Sequence, residues 1–225
     1  MITSKRRREL LSDLAGLVPT ARGEDCVRVA VDGVDGAGKT RLADEIAAVL
    51  REQARDVVRI SADDFHHPRS VRYRRGRSSP EGFWLDSYDY QRLHADVLDP
   101  LGPGGDRRYR RIAHDLRSDV AVRPPMEVAP PGAVLVLDGL FLHRDGLADL
   151  WDLSIWLHVP FEVTVRRMAA RDGTEADLTH PSLTRYVDGQ RLYLGACDPA
   201  ARAHVVIDNT DLDAPTMRVR SPPRD

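Results

Sequence analysis

The sequence predicts an α/β fold in which a parallel sheet is sandwiched by helices. Short apolar runs rich in Val, Ile and Leu alternate along the chain with helix-period stretches, the pattern of strands joined through helices. A Gly-rich turn at residues 33–38 stands between the first run and the first of those helices. At about 150 residues per domain as a prior, the 225 residues read as one domain, 1–225.

Within residues 1–20, Leu10, Leu11, Leu14, Leu17 and Val18 recur at helical spacing, which predicts an amphipathic packing helix. The basic start Lys5–Arg8 is followed by no long apolar segment, so a signal peptide or membrane anchor is not expected. A buried strand is predicted at Val27–Val31, and a helix follows with Leu42, Ile46, Val49 and Leu50 on one face. The next strand, Val57–Ser61, is expected beside the first and ends at Asp63-Asp64. About twenty Arg-, Ser- and Gly-rich residues then read as a mobile loop. Asp86 or Ser87 can cap a helix that runs through Leu98 and stops at Pro100. The Gly-, Pro- and Arg-rich stretch 102–131 reads as a small hairpin insertion. The unbroken run Ala133–Leu137 predicts a parallel strand covered on both faces, ending at Asp138-Gly139. A strand at Leu153–Val159, a helix bearing Arg166, Arg167 and Arg171, a helix at Ser182–Leu194 and a strand at His204–Ile207 complete the alternation. The tail 213–225, with Pro215, Pro222 and Pro223, is expected to fray.

Composition narrows the function. With 42% hydrophobic and 30% charged residues the chain is globular, and disordered, collagen-like and integral-membrane classes drop out. A net charge of −2 and a pI near 6.4 give no domain-scale basic excess, so neither nucleic acid nor an anionic membrane is expected as partner. Cys26 and Cys197 fit no ligand-spacing pattern, which removes a structural zinc or disulfide scaffold. A cytoplasmic enzyme is the expectation, and a homo-oligomer is left open.

Gly33-Val34-Asp35-Gly36-Ala37-Gly38-Lys39-Thr40 fits G-x-x-x-x-G-K-[ST] between a strand and a helix, the P-loop NTPase arrangement. Backbone N–H groups of Gly33, Asp35, Gly36, Ala37 and Gly38 can turn around a polyphosphate, Lys39 can reach its β- and γ-phosphates, and the Thr40 hydroxyl can ligate Mg²⁺. The chain has 31 arginines and two lysines, so the ammonium of Lys39 stands out. Asp138, ending an apolar strand, supplies the metal-side carboxylate. Gly139 and Leu140 follow it, with no Glu to activate water, which favours transfer over hydrolysis. A guanine-reading Asn-Lys-x-Asp segment cannot exist because no lysine lies beyond Lys39, and no Leu-Ser-Gly-Gly-Gln signature is present; regulatory GTPases and transport ATPases are excluded.

Asp63, just past its strand, can accept the proton of an attacking hydroxyl; capping a helical turn or assisting Mg²⁺ are its other readings. From Val27 to Asn209 the chain resembles the phosphoribulokinase, uridine kinase and type I pantothenate kinase family, with the nicotinamide riboside kinases as cousins. Ser61-Ala62-Asp63-Asp64-Phe65 is similar to the segment whose Asp is the base in uridine and nicotinamide riboside kinases. Asp63 to Pro68, Gly82-Phe83 and Ser87-Tyr88-Asp89 are similar to the pantothenate kinase pattern. The resemblance implies a catalytic pair Asp63 and Lys39, a metal held by Thr40 and Asp138, and Arg167 and Arg171 meeting ATP phosphates beside a lid at 172–181. It implies substrate contacts from Asp63, Phe65, His67, Asp86, Tyr109, His114 and Arg166, with Tyr109 and His114 at the spacing of the pyrimidine-contacting pair of uridine kinases. The chain departs from the family where Asp138 replaces Glu and Arg110 replaces an acidic residue, and where the ribose-binding Asp has no clear counterpart beyond nearby Asp86 and Asp89. One of His66 and His67 is expected to line the acceptor pocket. Trp84, Tyr88 and Tyr90 are read as core residues or as stacking partners for a base.

The expectation is an ATP- and Mg²⁺-dependent kinase acting on a small-molecule hydroxyl, foremost the 5′ hydroxyl of a uridine- or cytidine-like nucleoside. Pantothenate or a sugar is the alternative acceptor, and an ATP-sensing regulator without transfer is the alternative class.

Overall fold

In the computed structural model, which describes residues 4–220, the chain opens with α1 (Lys5–Leu17), β1 (Val27–Gly33), α2 (Lys39–Glu52) and β2 (Val57–Ser61). The helices α3 (Arg69–Arg72), α4 (Pro80–Asp86) and α5 (Tyr90–Leu93) follow, and then the two-residue strands β3 (Arg108–Tyr109), β4 (His114–Asp115), β5 (Val120–Ala121) and β6 (Glu127–Val128). The second half is β7 (Val134–Gly139), β8 (Leu153–His158), α6 (Phe161–Asp172), α7 (Thr184–Cys197), α8 (Pro199–Arg202), β9 (Val205–Asp208) and β10 (Thr216–Val219).

One six-stranded sheet carries the fold, in the order β10-β9-β8-β1-β7-β2. All its pairings are parallel except β10 on β9. Every residue of β1 and β7 is buried, because helices cover both faces of the centre, whereas the edge strand β2 alternates. The sequence places β2 beside β1; the structure inserts β7 between them. That ordering sets Val31, Asp138 and Ser61 in one row across three strands, so the ends carrying the Gly-rich turn, Asp138 and Asp63 line one edge of the sheet. Helix α2 buries Leu42, Ala43, Ile46, Ala47 and Leu50, while Val49 packs only partly. Helix α1 packs against α2 and buries Leu10, Leu11 and Leu14, as the spacing predicts, together with an unexpected Arg7.

Several local expectations are corrected. The stretch read as a mobile loop contains α3 and α4, the latter capped by Ser79, whose hydroxyl accepts from Gly82 N with Pro80 in the first turn. Neither Asp86 nor Ser87 caps the next helix. Asp89 does, accepting from Arg92 N, and the helix continues as a π-type turn over His94–Leu98. Arg185 of α7 explains the order of the preceding stretch, since it donates to the carbonyls of Arg72, Gly76 and Ser79. The insertion is two nested ladders, β3 with β6 and β4 with β5. Residues 216–219 of the expected frayed tail form β10, and Arg220 N bonds His204 O at 2.8 Å; residues 221–225, like 1–3 at the start, lie outside the described residues. Among the described residues no helix is long and apolar enough to cross a membrane.

Helices α4 and α7 meet at Gly189, where an added Cβ would lie 2.8 Å from both Phe83 Cδ1 and Pro80 O. Gly189→Ala should therefore destabilise the protein by about 1–3 kcal/mol despite alanine's better helix propensity. Gly16→Ala in α1, with nothing within 4 Å, should be neutral or stabilising by up to about 1 kcal/mol. Urea unfolding of both variants checks the contrast.

Candidate active site

The turn after β1 is shaped by backbone positions that disfavour side chains. Gly36 has φ +73°, and a Cβ there would stand 2.7 Å from Thr164 O of α6; Gly38 has φ +94°. Gly38 caps α2 with no side-chain bond, so the first N–H groups of that helix keep their capacity to meet an anion. Lys39 folds back with Nζ donating to Val34 O at 3.1 Å, and Asp35 N donates to Gln190 Oε1 at 2.6 Å.

These residues border a cleft of about 220 Å³. Lys39, Arg41, Arg167 and Arg171 contribute four cationic groups to its lining, against the carboxylates of Asp35 and Asp63. The balance suits a polyphosphate. Burial raises the Asp35 carboxyl above its usual range, with Lys39 opposing and Asp63 reinforcing the shift. Arg167 uses Nη2 on Asn209 O and Thr210 O, both at 2.9 Å, while its buried Nη1 makes no hydrogen bond among the described residues. Arg171 is exposed and forks onto Asp172. Arg166, one residue from Arg167, is exposed and does not border the cleft. Of the segment 172–181 read as a lid, Asp172 ends α6, Pro181 opens a 3₁₀ turn, and 173–180 between them carry no helix or strand.

At the end of β7, Asp138 is 2% exposed. Its Oδ2 accepts from Thr40 Oγ1 at 2.7 Å, and its Oδ1 lies 2.8 Å from Arg59 Nη2. Arg59 also donates through Nε to Asp44 at 2.9 Å. Asp64 stands near Asp63 and Asp138, and its carboxyl is raised to about 6 by burial first and then by those two charges, with Arg59 opposing. Among the described residues no three His, Cys, Asp or Glu side chains form a metal cage. The Thr40 hydroxyl and Asp138 carboxylate nevertheless form an all-oxygen pair suited to a hard cation completed by phosphate oxygens and water, which is how Mg²⁺ is usually held.

Asp63 is exposed at the cleft. Its Oδ1 accepts from the buried Tyr88 hydroxyl at 2.8 Å, leaving Oδ2 open. Burial, followed by the Asp63 charge, raises the Tyr88 phenol well above its ordinary value, so it remains a donor. His66 Nδ1 lies 2.8 Å from Asp63 O; a carbonyl only accepts, so Nδ1 carries the proton and Nε2 is an acceptor. Burial lowers the His66 pKa, and the ring packs on Tyr88 at 4.3 Å.

The other acceptor-side expectations divide. His66, rather than His67, stands beside Asp63; His67 is half-buried with Nδ1 3.8 Å from Asp89. Phe65 is fully buried in the core and presents no surface to a substrate. Asp86, 1% exposed, is neutralised by Arg74 and Arg75. Tyr109 is buried, its hydroxyl donates to Glu127 at 3.1 Å, and Arg111 covers its ring, so no face is left for stacking. Arg110 is paired with Asp96. Ala113 N bonds Asp64 O at 2.9 Å, seating β4, which carries the buried His114, on the turn that carries Asp63. The buried His114 ring lies 3.3 Å from Asp119, with neither nitrogen in hydrogen-bond geometry. Trp84 packs on Phe141 and Tyr193 in the core, and Arg144 covers Tyr90. Sequence reasoning missed Arg59, Tyr88's bond to Asp63 and Asn209's bond to Ala37 O; a charged residue inside the β2 run was the one visible signal for the first.

The model of the Phosphoribulokinase / Uridine kinase family matches residues 28–187. The chain belongs to this family. Over 148 residues it is 30% identical to a pantothenate kinase of Klebsiella pneumoniae, covering 60% of this chain and 46% of that protein, so the match spans less than half of the relative. A uridine kinase of Leuconostoc citreum is 24% identical over 161 residues, 67% of this chain and 70% of the relative. Among solved structures, one titled a possible uridine kinase from Bacillus stearothermophilus superposes with a TM-score of 0.70 at 20% identity, covering 89% of this chain and 98% of that one. Phosphoribulokinase from Rhodobacter spheroides gives 0.60 at 15% identity, covering 88% and 81%. At these identities the two structures share the fold. The family match leaves α1 and β9 outside it, yet Asn209, just after β9, bonds Ala37 O of the Gly-rich turn and is itself bonded by Arg7 of α1.

Asp64 generates a pH prediction. Because its carboxyl holds a proton up to about pH 6, the folded chain binds more protons than the unfolded one between roughly pH 4 and 6 and loses stability as pH rises through that window. Asp64→Asn lacks this loss. In metal-free buffer its unfolding free energy should move in its favour, relative to the parent, by on the order of 1–2 kcal/mol from pH 4 to pH 7. An offset that is constant across that range would contradict the raised carboxyl.

Proposed function

We propose that this chain is a kinase that transfers the γ-phosphoryl group of ATP to a hydroxyl of a small molecule. The observation that carries the reading is the Asp63 carboxylate, held by Tyr88 through one oxygen and open at the other, facing the cleft that Lys39 and the Gly-rich turn line. An ATP-sensing regulator has no need of such a group on the acceptor side.

In this reading Oδ2 of Asp63 accepts the hydroxyl proton as the acceptor oxygen attacks, and Tyr88 holds the carboxylate in its rotamer. Lys39 and Arg167 stabilise charge on the transferring group, and the α2 N-terminus meets the remaining phosphate oxygens. Thr40 and Asp138 would hold Mg²⁺, which when bound neutralises charge between the β- and γ-phosphates. Residues 173–180 would close over the donor and exclude water.

For the acceptor we favour the 5′ hydroxyl of a uridine- or cytidine-like nucleoside, in keeping with the 24%-identical uridine kinase relative. Pantothenate is the second reading, supported by the names of the 30%-identical relatives. Arg110 does not supply a carboxylate partner for it, since Asp96 already occupies that guanidinium.

Two variants and one screen test the reading. Asp63→Asn should lower kcat by about 10² or more while the Kd of a non-hydrolysable ATP analogue changes only a few-fold. Lys39→Ala should lose most turnover with the fold retained. ADP release measured with uridine, cytidine, pantothenate and sugars ranks the acceptors. Near-native turnover by Lys39→Ala would refute the kinase assignment, and a clear preference for pantothenate would refute only the nucleoside.

A further inference from the structure

Asn209 follows β9 and is 1% exposed, yet it belongs to neither the Gly-rich turn nor the acceptor side. Four elements meet on it. Its Nδ2 donates to Ala37 O at 2.7 Å, and its Oδ1 accepts from Arg7 Nη1 of α1 at 3.1 Å. Its backbone N donates to His158 O of β8 at 3.1 Å, and its backbone O accepts from Arg167 of α6 at 2.9 Å. A carbonyl only accepts and a guanidinium only donates, so these partners fix the carboxamide in one orientation and use both of its ends.

The bond to Ala37 O has a geometric consequence. The carbonyl of Ala37 and the N–H of Gly38 belong to one planar trans peptide and point in opposite directions. Drawing the carbonyl back toward Asn209 therefore turns the Gly38 N–H toward the cleft that Gly38 borders. Arg167, tethered by Nη2 to the Asn209 backbone, has its buried Nη1 unbonded and lines the same cleft. Arg7 is the fixed end of the arrangement: it is fully buried and chelates Glu45 of α2 through Nε and Nη2, with distances of 2.6–3.1 Å.

We propose that Asn209 is a positioning residue of the donor site, aiming the Gly38 N–H and the Arg167 guanidinium at the donor's polyphosphate, and that α1 belongs to that site through Arg7. The proposal rests on the reading of this cleft as the ATP site. Asn209→Asp separates the two bonds. The carboxylate still accepts from Arg7, so α1 stays anchored, but a second acceptor oxygen now opposes Ala37 O and the peptide turns over. Arg7→Lys does the reverse, leaving the Ala37 bond and loosening its anchor.

The test is calorimetric binding of two probes, AMP-PNP with Mg²⁺ and inorganic tripolyphosphate, alongside melting temperature, kcat and the acceptor KM. Asn209→Asp should raise the Kd of both probes about tenfold or more, by similar factors, the loss of roughly one buried charge-assisted contact. The acceptor KM should stay within about twofold. Arg7→Lys should give a smaller rise in the same sense, and it carries the test if Asn209→Asp does not fold. A folded Asn209→Asp, or in its place a folded Arg7→Lys, that binds tripolyphosphate as the parent does would overturn the proposal. So would an equal weakening for donor and acceptor, the mark of general destabilisation. A parent protein that binds neither probe would instead sink the ATP reading.

Discussion

The hydrogen bond from Thr40 to Asp138 joins the first turn of α2 to the end of β7, and the rest of the site is arranged around that carboxylate. Since β7 lies between β1 and β2, Asp138 stands in register with Val31 on one side and Ser61 on the other. The Gly-rich turn begins two residues beyond Val31, and Asp63 lies two residues beyond Ser61. The Gly-rich turn and Asp63 therefore hang from the same row of a parallel sheet, whose backbone bonds fix their separation. Arg59 holds the second oxygen of Asp138, so the buried charge is compensated even with Asp63 and Asp64 close by.

Behind the cleft, buried polar groups are tied down. Asp32, fully buried next to the Gly-rich turn, accepts from the backbone N–H groups of Gly33, Leu142 and His143, from the His143 ring and from the Tyr193 hydroxyl. Arg185 and Arg7 are comparably engaged by carbonyls and by Glu45. Burying such groups unpaired would cost several kcal/mol each, so their networks specify one arrangement of the walls. In front, the pattern reverses. Arg167, which lines the cleft, has its buried Nη1 without a hydrogen-bond partner among the described residues, and the open N–H groups at the start of α2 accompany it. The cleft thus presents fixed, unsatisfied donors, the condition under which an anion gains most from entering.

Much of this was legible in the sequence because it depends on local pattern. The strand at 57–61 is observed with its predicted ends, and the Gly-rich turn sits between strand and helix as its motif requires. Asp63, Thr40, Lys39 and Asp138 follow from their places beside those elements. What failed depends on partners distant in sequence. Tyr109 and Arg110 are drawn off by Glu127 and Asp96, and Asp86 by Arg74 and Arg75, pairings between exposed-looking charges that no spacing rule encodes. The order of the 66–85 stretch comes from Arg185, more than a hundred residues away. The place of β7 between β1 and β2 is likewise a choice of topology that strand propensities leave undetermined.

The nested ladders at 108–128 attach to the remainder through Ala113 N to Asp64 O, Arg111 to Arg59 O, Arg110 to Asp96, and Asp119 to Arg69 N and Arg72. The register that spaces Asp63 from Asp138 lies wholly in the sheet. The insertion and the carboxylate row are thereby borne on different parts of the chain that meet at Asp64 and Arg59. A change within the insertion therefore bears on the carboxylate row through two neighbours, Asp64, whose carbonyl Ala113 N engages, and Arg59, whose guanidinium pairs with Asp138.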